Sequence, residues 1–594
     1  MPHATMPPTG FQVFILCGPG ESLNPFNSNP KDFPKALIPI ANRPMVWYPL
    51  DWCHRMGISA LALDPYLTSL PTPKPTVLAP SDLALTTGTA EIFRLREVQD
   101  AITSDFIILP CDLVSELPGS SLLEAWMTLQ GGLGGATGGN GTGLESWSTR
   151  LDVGGEKSGR RGGLGVWYQT KDDVPEGGVG VKKEETDFLA TTEISNTAIS
   201  APVGTLHQRI RNVVMTMPTD ALKDTMDEKG ALNVRHQLLR KHGNVRMLTT
   251  HRDAHIYLLP YWVKEYMNRN DVFESIGEDA LGWWAKAGWQ EGLSEKLQFQ
   301  EVMRKKRRKS EPMNALEDAP VDIAALSSTT QSKLSLQASD ASSRPQPNRV
   351  SSFASRVGPV SPPPETETSP SQKSTPVPPL LAYMHPAPTP LIIEDPKENK
   401  NKQQQKQSAP DVAKTKKEPH IPLIRRTDTV PLLLSISLYL ARLPALSDYP
   451  SPASPSSLSH AHKAHPTSTL PTQSTIDLKT VLIDANCTLQ PRITLRECTI
   501  GASVSIASGS RLTRCVVMEG VVIEEKVVLT GCVLGRRCKI GKGSELRDCQ
   551  VEEKFVVAEG STGKGEVMAG FDEGAEGGFD DDADFDGEGD GIEM

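Results

Sequence analysis

Three consecutive stretches of the chain share one pattern: TLRECTIGASVSIASGS (494–510), RLTRCVVMEGVVIEEKV (511–527) and VLTGCVLGRRCKIGKGS (528–544). Apolar residues recur in them at steps of six, six and five, so that the pattern restarts every 17 residues. A fixed period of this kind is the signature of a solenoid. Three short strands per coil, each with one inward apolar residue, predict a left-handed parallel β-helix of the hexapeptide type over residues 476–568. Coils stacked about 4.8 Å apart would form a stable array.

Four cysteines follow the same period, at Cys498, Cys515, Cys532 and Cys549. A row of thiols suggests either a metal site or a small apolar residue repeated at one corner of the coil. Metal ligands converge on one point, whereas stacked coils spread their sulfur atoms along a line. We therefore interpret the row as structural and predict no metal site there.

The N-terminal part has a different texture, with short apolar runs that end in polar turns. Phe11 to Cys17 ends in Gly18-Pro19-Gly20, and Phe106 to Leu109 ends in Pro110-Cys111-Asp112. Buried strands followed by such turns are typical of a parallel sheet covered by helices on both faces. The pattern predicts an α/β domain of Rossmann type over residues 10–300.

Long stretches rich in Ser, Pro, Gln and Lys separate the two folded regions. Such segments bury too little apolar surface to order themselves. They predict disordered linkers at 301–378 and 446–475, and a disordered acidic tail at 569–594. Two apolar islands interrupt them, so we expect 379–445 to return to the first domain, with a disordered insertion at 393–420.

Composition excludes several classes of protein. The net charge of −10 belongs to the tail, because Gly565 to Met594 holds twelve Asp and Glu and no Lys or Arg. The rest is nearly neutral, so no direct nucleic-acid partner is expected, and the basic run at 304–309 is interpreted as solvated linker. No apolar run reaches the length of a membrane span, the start does not resemble a signal peptide, and nine cysteines suit a reducing cytosol.

The N-terminal motifs resemble those of sugar-phosphate nucleotidyltransferases. Ile15 to Pro25 and Pro34 to Pro44 match the opening of that family, and Gly88-Thr89-Ala90 and Cys111-Asp112 follow in the family's order. These enzymes join a nucleoside triphosphate to a sugar phosphate and release pyrophosphate. The resemblance implies that Gly18 and Gly20 lie against phosphate, that Lys35 neutralises its charge, and that Asp112 is one of two Mg²⁺ carboxylates.

The sequence departs from the transferase pattern where the chemistry occurs. Ser22, beside Glu21, stands at the position of the phosphate-binding Arg, and we find neither the Glu-Lys-Pro element nor a second metal carboxylate before the linker. The family's Asn-Ala-Gly-Ile-Tyr element is replaced by Asp253-Ala254-His255-Ile256-Tyr257. We therefore predict a vestigial nucleotide pocket and no enzyme: no catalytic residue, metal or cofactor. The residues predicted to line it are Gly18, Gly20, Lys35, Asp112 and Asp253.

Pro44 to Leu50, Glu185 to Ala190 and the apolar segment 428–443 before the repeats are similar to the gamma subunits of eukaryotic translation initiation factor two B. This resemblance implies a cytosolic, non-catalytic scaffold or regulatory subunit of the guanine nucleotide exchange factor for the GTPase initiation factor two. The implied partners are the epsilon subunit, other exchange-factor subunits and that GTPase, with no membrane partner. Two alternatives stay open: an active transferase of the mannose-1-phosphate guanylyltransferase kind, and a nucleotide-sensing pocket without turnover.

Overall fold

A computed structural model describes most of the two predicted folded regions. The described residues are 11–27, 32–56, 76–80, 83, 86–131, 162–170, 184–194, 205–303, 377–387, 421–448 and 456–570. The predicted insertion at 393–420 and nearly all of the acidic tail and of the first linker lie outside these residues.

The N-terminal region combines a β-sheet with short helices. Its strands are β1 (Gln12–Leu16), β2 (Pro39–Ile40), β3 (Arg43–Pro44), β4 (Phe106–Pro110), β5 (Leu113–Ser115), β6 (Gly163–Gln169), β7 (Asp187–Thr192), β8 (Ile210–Pro218) and β9 (Arg246–Leu259). Its helices are α1 (Trp47–Arg55), α2 (Thr89–Ile92), α3 (Arg96–Ala101), α4 (Gly119–Gly131), α5 (Thr219–Lys229), α6 (His236–Lys241), α7 (Trp262–Arg269), α8 (Leu281–Ala287), α9 (Leu293–Lys296) and α10 (Phe299–Met303).

The returning segment supplies β10 (Leu380–His385), β11 (Ile424–Arg426) and α11 (Val430–Arg442). Strand β10 lies inside the main sheet, parallel to β6 and antiparallel to β8. Strand β11 pairs antiparallel with β5, which aligns Arg426 with Leu113. Pro431 occupies the first turn of α11, where its missing N–H costs the helix nothing. This pairing carries Arg426 to the end of β4, next to Asp112.

The main sheet has the order β1-β4-β9-β6-β10-β8-β7. It is mixed, so the expectation of a parallel sheet is wrong: β1–β4 and β6–β10 are parallel, whereas β9 runs antiparallel to both β4 and β6. Strand β4 is buried along its whole length. A strand buried on both faces has the same apolar pattern in either direction, which is why the sequence did not reveal the reversal.

The repeats form a parallel β-solenoid, which confirms the predicted parallel β-helix; its left-handedness stays a prediction. Seventeen short strands, β12 to β28, form two sheets of six strands and one of five. Their bounds are Thr475–Ile476, Leu482–Ile483, Thr488–Leu489, Thr494–Arg496, Thr499–Ile500, Ser505–Ile506, Arg511–Thr513, Val516–Val517, Val522–Ile523, Val528–Thr530, Val533–Leu534, Lys539–Ile540, Glu545–Arg547, Gln550–Val551, Val556–Val557, Thr562–Lys564 and Val567–Met568.

The register of the solenoid reproduces the sequence period, since Leu495 pairs with Leu512 and Ile500 with Val517. Parallel pairing starts before the predicted boundary at 476: Ala464 bridges Ile483, within the stretch 446–475 predicted as linker. That stretch has a Ser/Pro/His-rich composition and few inward apolar residues. The sequence pattern therefore missed its backbone pairing.

Each coil has residues with positive φ at three corners, again every 17 positions. The residues at one of these corners are Asn486, Ser503, Gly520, Arg537 and Lys554, with φ between 55° and 72°. Because a Cβ disfavours this conformation, four of the five corners bend at a conformational cost. The pairing of the flanking strands on both sides must offset that cost.

The row of four cysteines lies in the solenoid core. All four side chains are buried, and each thiol donates to a backbone carbonyl two residues earlier, as Cys515 does to Thr513 at 3.2 Å. Within the described ranges, no three His, Cys, Asp or Glu side chains are arranged to hold a metal ion. The contacts are those of small core residues, as the structural interpretation expects.

Helix α11 packs between the sheet domain and the solenoid. Outward side chains of one solenoid sheet, among them Val516 and Val533, are buried in the same apolar cluster as Leu433 of this helix. Asn42 Nδ2 donates to the carbonyl of Ile500 at 2.8 Å, and Arg43 donates to two carbonyls at 458 and 459. The two regions therefore form one compact unit. Among the described helices, none has the length and apolar character that crossing a bilayer requires.

Candidate functional site

The site lies at the carboxyl ends of two parallel neighbours, β1 and β4. Because they are parallel, Cys17-Gly18 and Cys111-Asp112 leave the same edge of the sheet, and Cys111 N donates to Leu16 O at 3.0 Å. Gly20 has a φ of 82°, and a Cβ there would lie 2.8 Å from the Cβ of Lys35. The glycine loop therefore packs directly on Lys35.

Lys35 and Asp112 form an ion pair at the centre of the site. Lys35 Nζ lies 2.8 Å from Asp112 Oδ2, and the Asp112 side chain is 1% exposed. Burial by itself would raise the pKa of this carboxyl group, but Arg426 and Lys35 together hold the pKa below its ordinary value. Asp112 is therefore ionised at neutral pH and paired within the protein.

Arg426 is the most central of the site residues that the sequence did not reveal. Its Nε lies 3.3 Å from Asp112 Oδ1, and its Nη2 lies 3.3 Å from Asp112 Oδ2. Both oxygen atoms of Asp112 thus already accept hydrogen bonds from cationic groups. The Mg²⁺ ion that the transferase resemblance implies does not fit this arrangement, because it would have to displace Lys35 and Arg426 from their shared carboxylate.

A second layer of charge pairs surrounds Arg426. Asp428 is a carboxylate that reaches the site from beyond the long linker, and its Oδ2 accepts from Arg426 at 3.3 Å and from Arg252 at 2.6 Å. Arg252 also pairs with Glu184 at 3.3 Å, and Tyr168 OH donates to Glu184 at 2.8 Å. The three cations Lys35, Arg252 and Arg426 are therefore matched by three carboxylates, which leaves little positive charge for a triphosphate.

Asp253 belongs to an adjoining pair of acidic residues. The backbone N–H of Asp253 donates to Asp187 Oδ2 at 2.6 Å, and Tyr257 OH donates to Asp253 Oδ2 at 2.6 Å. Burial and the neighbouring Asp187 raise the pKa of Asp253 to about 7, and burial raises the pKa of Asp187 to about 6. This pair therefore titrates close to neutral pH.

His255 connects the acidic pair to Arg426. Its Nε2 lies 3.3 Å from Arg426 Nη1, and burial followed by the charge of Arg426 holds its pKa well below the usual value. The imidazole is therefore neutral and accepts from the guanidinium. Its backbone has a φ of 53°, a conformation that the hydrogen bond from His255 N to Asp253 Oδ1 stabilises. With these contacts, His255 fills the space between the acidic pair and Arg426.

The structure brings Gly20, Lys35 and Asp112 together and places Asp253 beside them, through His255 and Arg426. Gly18 is exposed at the edge of the group, with open space around it. The members missed from sequence are Arg426, Asp428, Arg252, Asp187 and Glu184. One signal could have revealed the first two: charged residues, Arg425-Arg426-Thr427-Asp428, interrupt an otherwise apolar island.

Two matches with known proteins bear on the assignment of the chain. Residues 464–569 match the family described as the GMPPB C-terminal domain. The chain is also 22% identical over 306 residues to translation initiation factor eIF2B subunit gamma of Schizosaccharomyces pombe. That alignment covers 50% of this chain and 56% of the relative, so the chain spans about half the length of the curated relative. The matches confirm the predicted resemblance to an eIF2B gamma-like protein with a hexapeptide-type β-solenoid.

Proposed function

We propose that the chain is a non-catalytic scaffold and regulatory subunit of the guanine nucleotide exchange factor for initiation factor two, that it acts in the cytosol, and that it pairs with an epsilon-type subunit. The similarity to eIF2B subunit gamma supports a role in translation initiation. The observation that carries the non-catalytic part is the pairing of Asp112 with Lys35 and Arg426. A carboxylate held in this way is a structural anion rather than a metal ligand.

In this role the chain contributes to the assembly of the exchange factor. The sheet domain and the solenoid are joined through α11, so a partner that binds either region meets a preformed surface with little ordering cost. Exchange then proceeds because the assembled factor binds the nucleotide-free GTPase more tightly than its GDP form, which shifts the population towards release. In this scheme the chain supports and positions the subunit that contacts the GTPase.

A pyrophosphate-release assay tests the absence of transferase activity. The purified chain is incubated with GTP, mannose-1-phosphate and Mg²⁺, and separately with ATP and glucose-1-phosphate, beside an active nucleotidyltransferase as positive control. We expect no release above that of the Asp112→Asn variant. Mg²⁺-dependent release that Asp112→Asn abolishes would establish the alternative, an active nucleotidyltransferase.

Co-expression tests the assembly. The chain is produced alone and together with an epsilon-type subunit, and release of a fluorescent GDP analogue from initiation factor two is followed in both cases. We expect the chain alone to leave the release rate unchanged, and the co-purifying pair to exceed the epsilon-type subunit alone. Failure of the two subunits to co-purify would contradict the scaffold role.

A further inference from the structure

Two cysteines lie side by side at the ends of β1 and β4. The register of these parallel strands pairs Leu16 with Pro110, and the hydrogen bond from Cys111 N to Leu16 O at 3.0 Å continues the pairing by one residue. Cys17 and Cys111 are therefore neighbours across the two strands. Adjacent strands lie about 4.8 Å apart, within the roughly 4.4–6.8 Å between Cα atoms that a disulfide bridges.

The two thiols are neighbours, and their surroundings differ. Hydrogen bonding with the Cys111 thiol lowers the pKa of Cys17. Partial desolvation of the Cys17 sulfur by its neighbours opposes that effect, while the ammonium group of Lys35 adds to it. The same hydrogen bond, together with burial and Asp112, raises the pKa of Cys111 well above its usual value. The lowered pKa favours Cys17 as the attacking thiol, and the raised pKa of Cys111 suits a resolving thiol.

The accessibility of Cys17 separates it from the other thiols. All nine cysteines fall within the described residues, and Cys17 is exposed whereas the other eight are buried. Cys53 shows the contrast, because burial raises its pKa to about 12. Oxidants in solution therefore reach Cys17 first.

We propose that Cys17 and Cys111 form a peroxide-responsive disulfide at the edge of the Lys35–Asp112 site. In the first step, the Cys17 thiolate attacks hydrogen peroxide, giving a sulfenic acid and hydroxide. In the second step, the Cys111 sulfur displaces the hydroxyl group from the Cys17 sulfur, which forms the disulfide and releases water with the Cys111 proton. The sulfurs lose two electrons in total and the peroxide gains them.

The location gives the disulfide a consequence for the site. Cys17 directly precedes the glycine loop, and Cys111 directly precedes Asp112. The bond would tether the loop to the strand end that carries the central carboxylate, and it would consume the free thiol of Cys17 near Lys35. Oxidation therefore fixes the loop, whatever partner the chain binds elsewhere.

Peptide mass mapping of the wild-type chain tests the proposal without any substitution. The full chain is treated with hydrogen peroxide, the peroxide is removed, and the chain is denatured so that buried thiols become accessible. Remaining thiols are then alkylated, and peptides are compared before and after reduction. We expect a reducible cross-link between the peptides of Cys17 and Cys111, with Cys53 fully alkylated as the internal control. Complete alkylation of both Cys17 and Cys111 after peroxide would overturn the proposal, as would a cross-link from Cys17 to another chain.

The Cys111→Ser variant separates the two steps. Serine keeps a hydrogen-bond donor beside Cys17 but cannot resolve a sulfenic acid, so peroxide with dimedone should give a Cys17 adduct that the wild type lacks. The Cys17→Ser variant changes an exposed position and should give neither cross-link nor adduct. A dimedone adduct at a different cysteine in Cys111→Ser, with Cys17 still alkylated, would show that Cys17 is not the site of attack.

Discussion

Replacing Arg426 with Met should destabilise the chain more than any exposed arginine substitution. Arg426 contacts both oxygens of Asp112 and one oxygen of Asp428. Removing one partner of a buried ion pair costs about 3–5 kcal/mol. Lys35 and Arg252 still neutralise the two carboxylates in the variant, so we expect the lower end, about 3 kcal/mol, or roughly a 100-fold change in the unfolding constant.

Urea unfolding followed by tryptophan fluorescence measures this loss, with Arg96→Met as the matched control. Arg96 is 95% exposed and lies 3.7 Å from Asp100, also mostly exposed. A surface pair of this kind contributes less than about 1 kcal/mol. If the Arg426→Met midpoint were indistinguishable from that of Arg96→Met, the assignment of Arg426 as the counter-ion of Asp112 would be wrong.

The pH dependence of Asp112→Asn provides a second check. The folded-state pKa of Asp112 lies below its unfolded value, so its ionisation contributes stability above roughly pH 4 that is lost as the pH falls. The difference in stability between wild type and Asp112→Asn should therefore narrow from pH 5 to pH 3.

In a double-mutant cycle, Asp112→Asn and Arg426→Met should couple by about 2 kcal/mol, and additive effects would refute the pairing.

Three further outcomes are expected. The folded-state pKa of Asp253 is raised to about 7, so its contribution to stability is present at low pH and lost as the pH rises. The melting temperature of the wild type should therefore fall more between pH 5 and pH 8 than that of Asp253→Asn. Parallel curves of melting temperature against pH would contradict this. Leu512 is fully buried in the solenoid, so Leu512→Ala should lower the free energy of urea unfolding by about 2–5 kcal/mol. Arg511→Ala changes an exposed side chain and should leave that free energy nearly unchanged. Equal effects would refute the assignment of Leu512 to the core. Metal analysis of the purified chain should find no stoichiometric zinc or copper, and Cys532→Ala should leave the metal content unchanged; bound metal lost in that variant would contradict the structural role of the cysteine row.

The solenoid could be predicted closely from sequence because each coil repeats the same local rule. Leu495, Leu512 and Leu529 occupy equivalent inward positions, and one period fixes strands, register and corners at once. Its start was placed too late, because Ala464 and Thr469 pair through the backbone, without the apolar residues that mark later coils.

The site was only half predictable, because its members come from distant parts of the chain. Gly20, Lys35 and Asp112 stand in recognisable motifs, whereas Arg426 lies 314 residues from Asp112 and belongs to no such motif. Its role depends on the pairing of β11 with β5, a long-range contact that local patterns do not encode.

The position of β10 has a consequence for the order of folding during synthesis. This strand fills the place between β6 and β8, so the sheet has a gap until Leu380 to His385 leaves the ribosome. At a translation rate of about 5–20 residues per second, β6 lacks its neighbour β10 for a time on the order of 10–40 s. Until then, two strand edges stay unpaired and are open to wrong partners. A nascent chain halted near residue 304 should therefore engage chaperones, whereas one halted after residue 448 should be able to close its sheet.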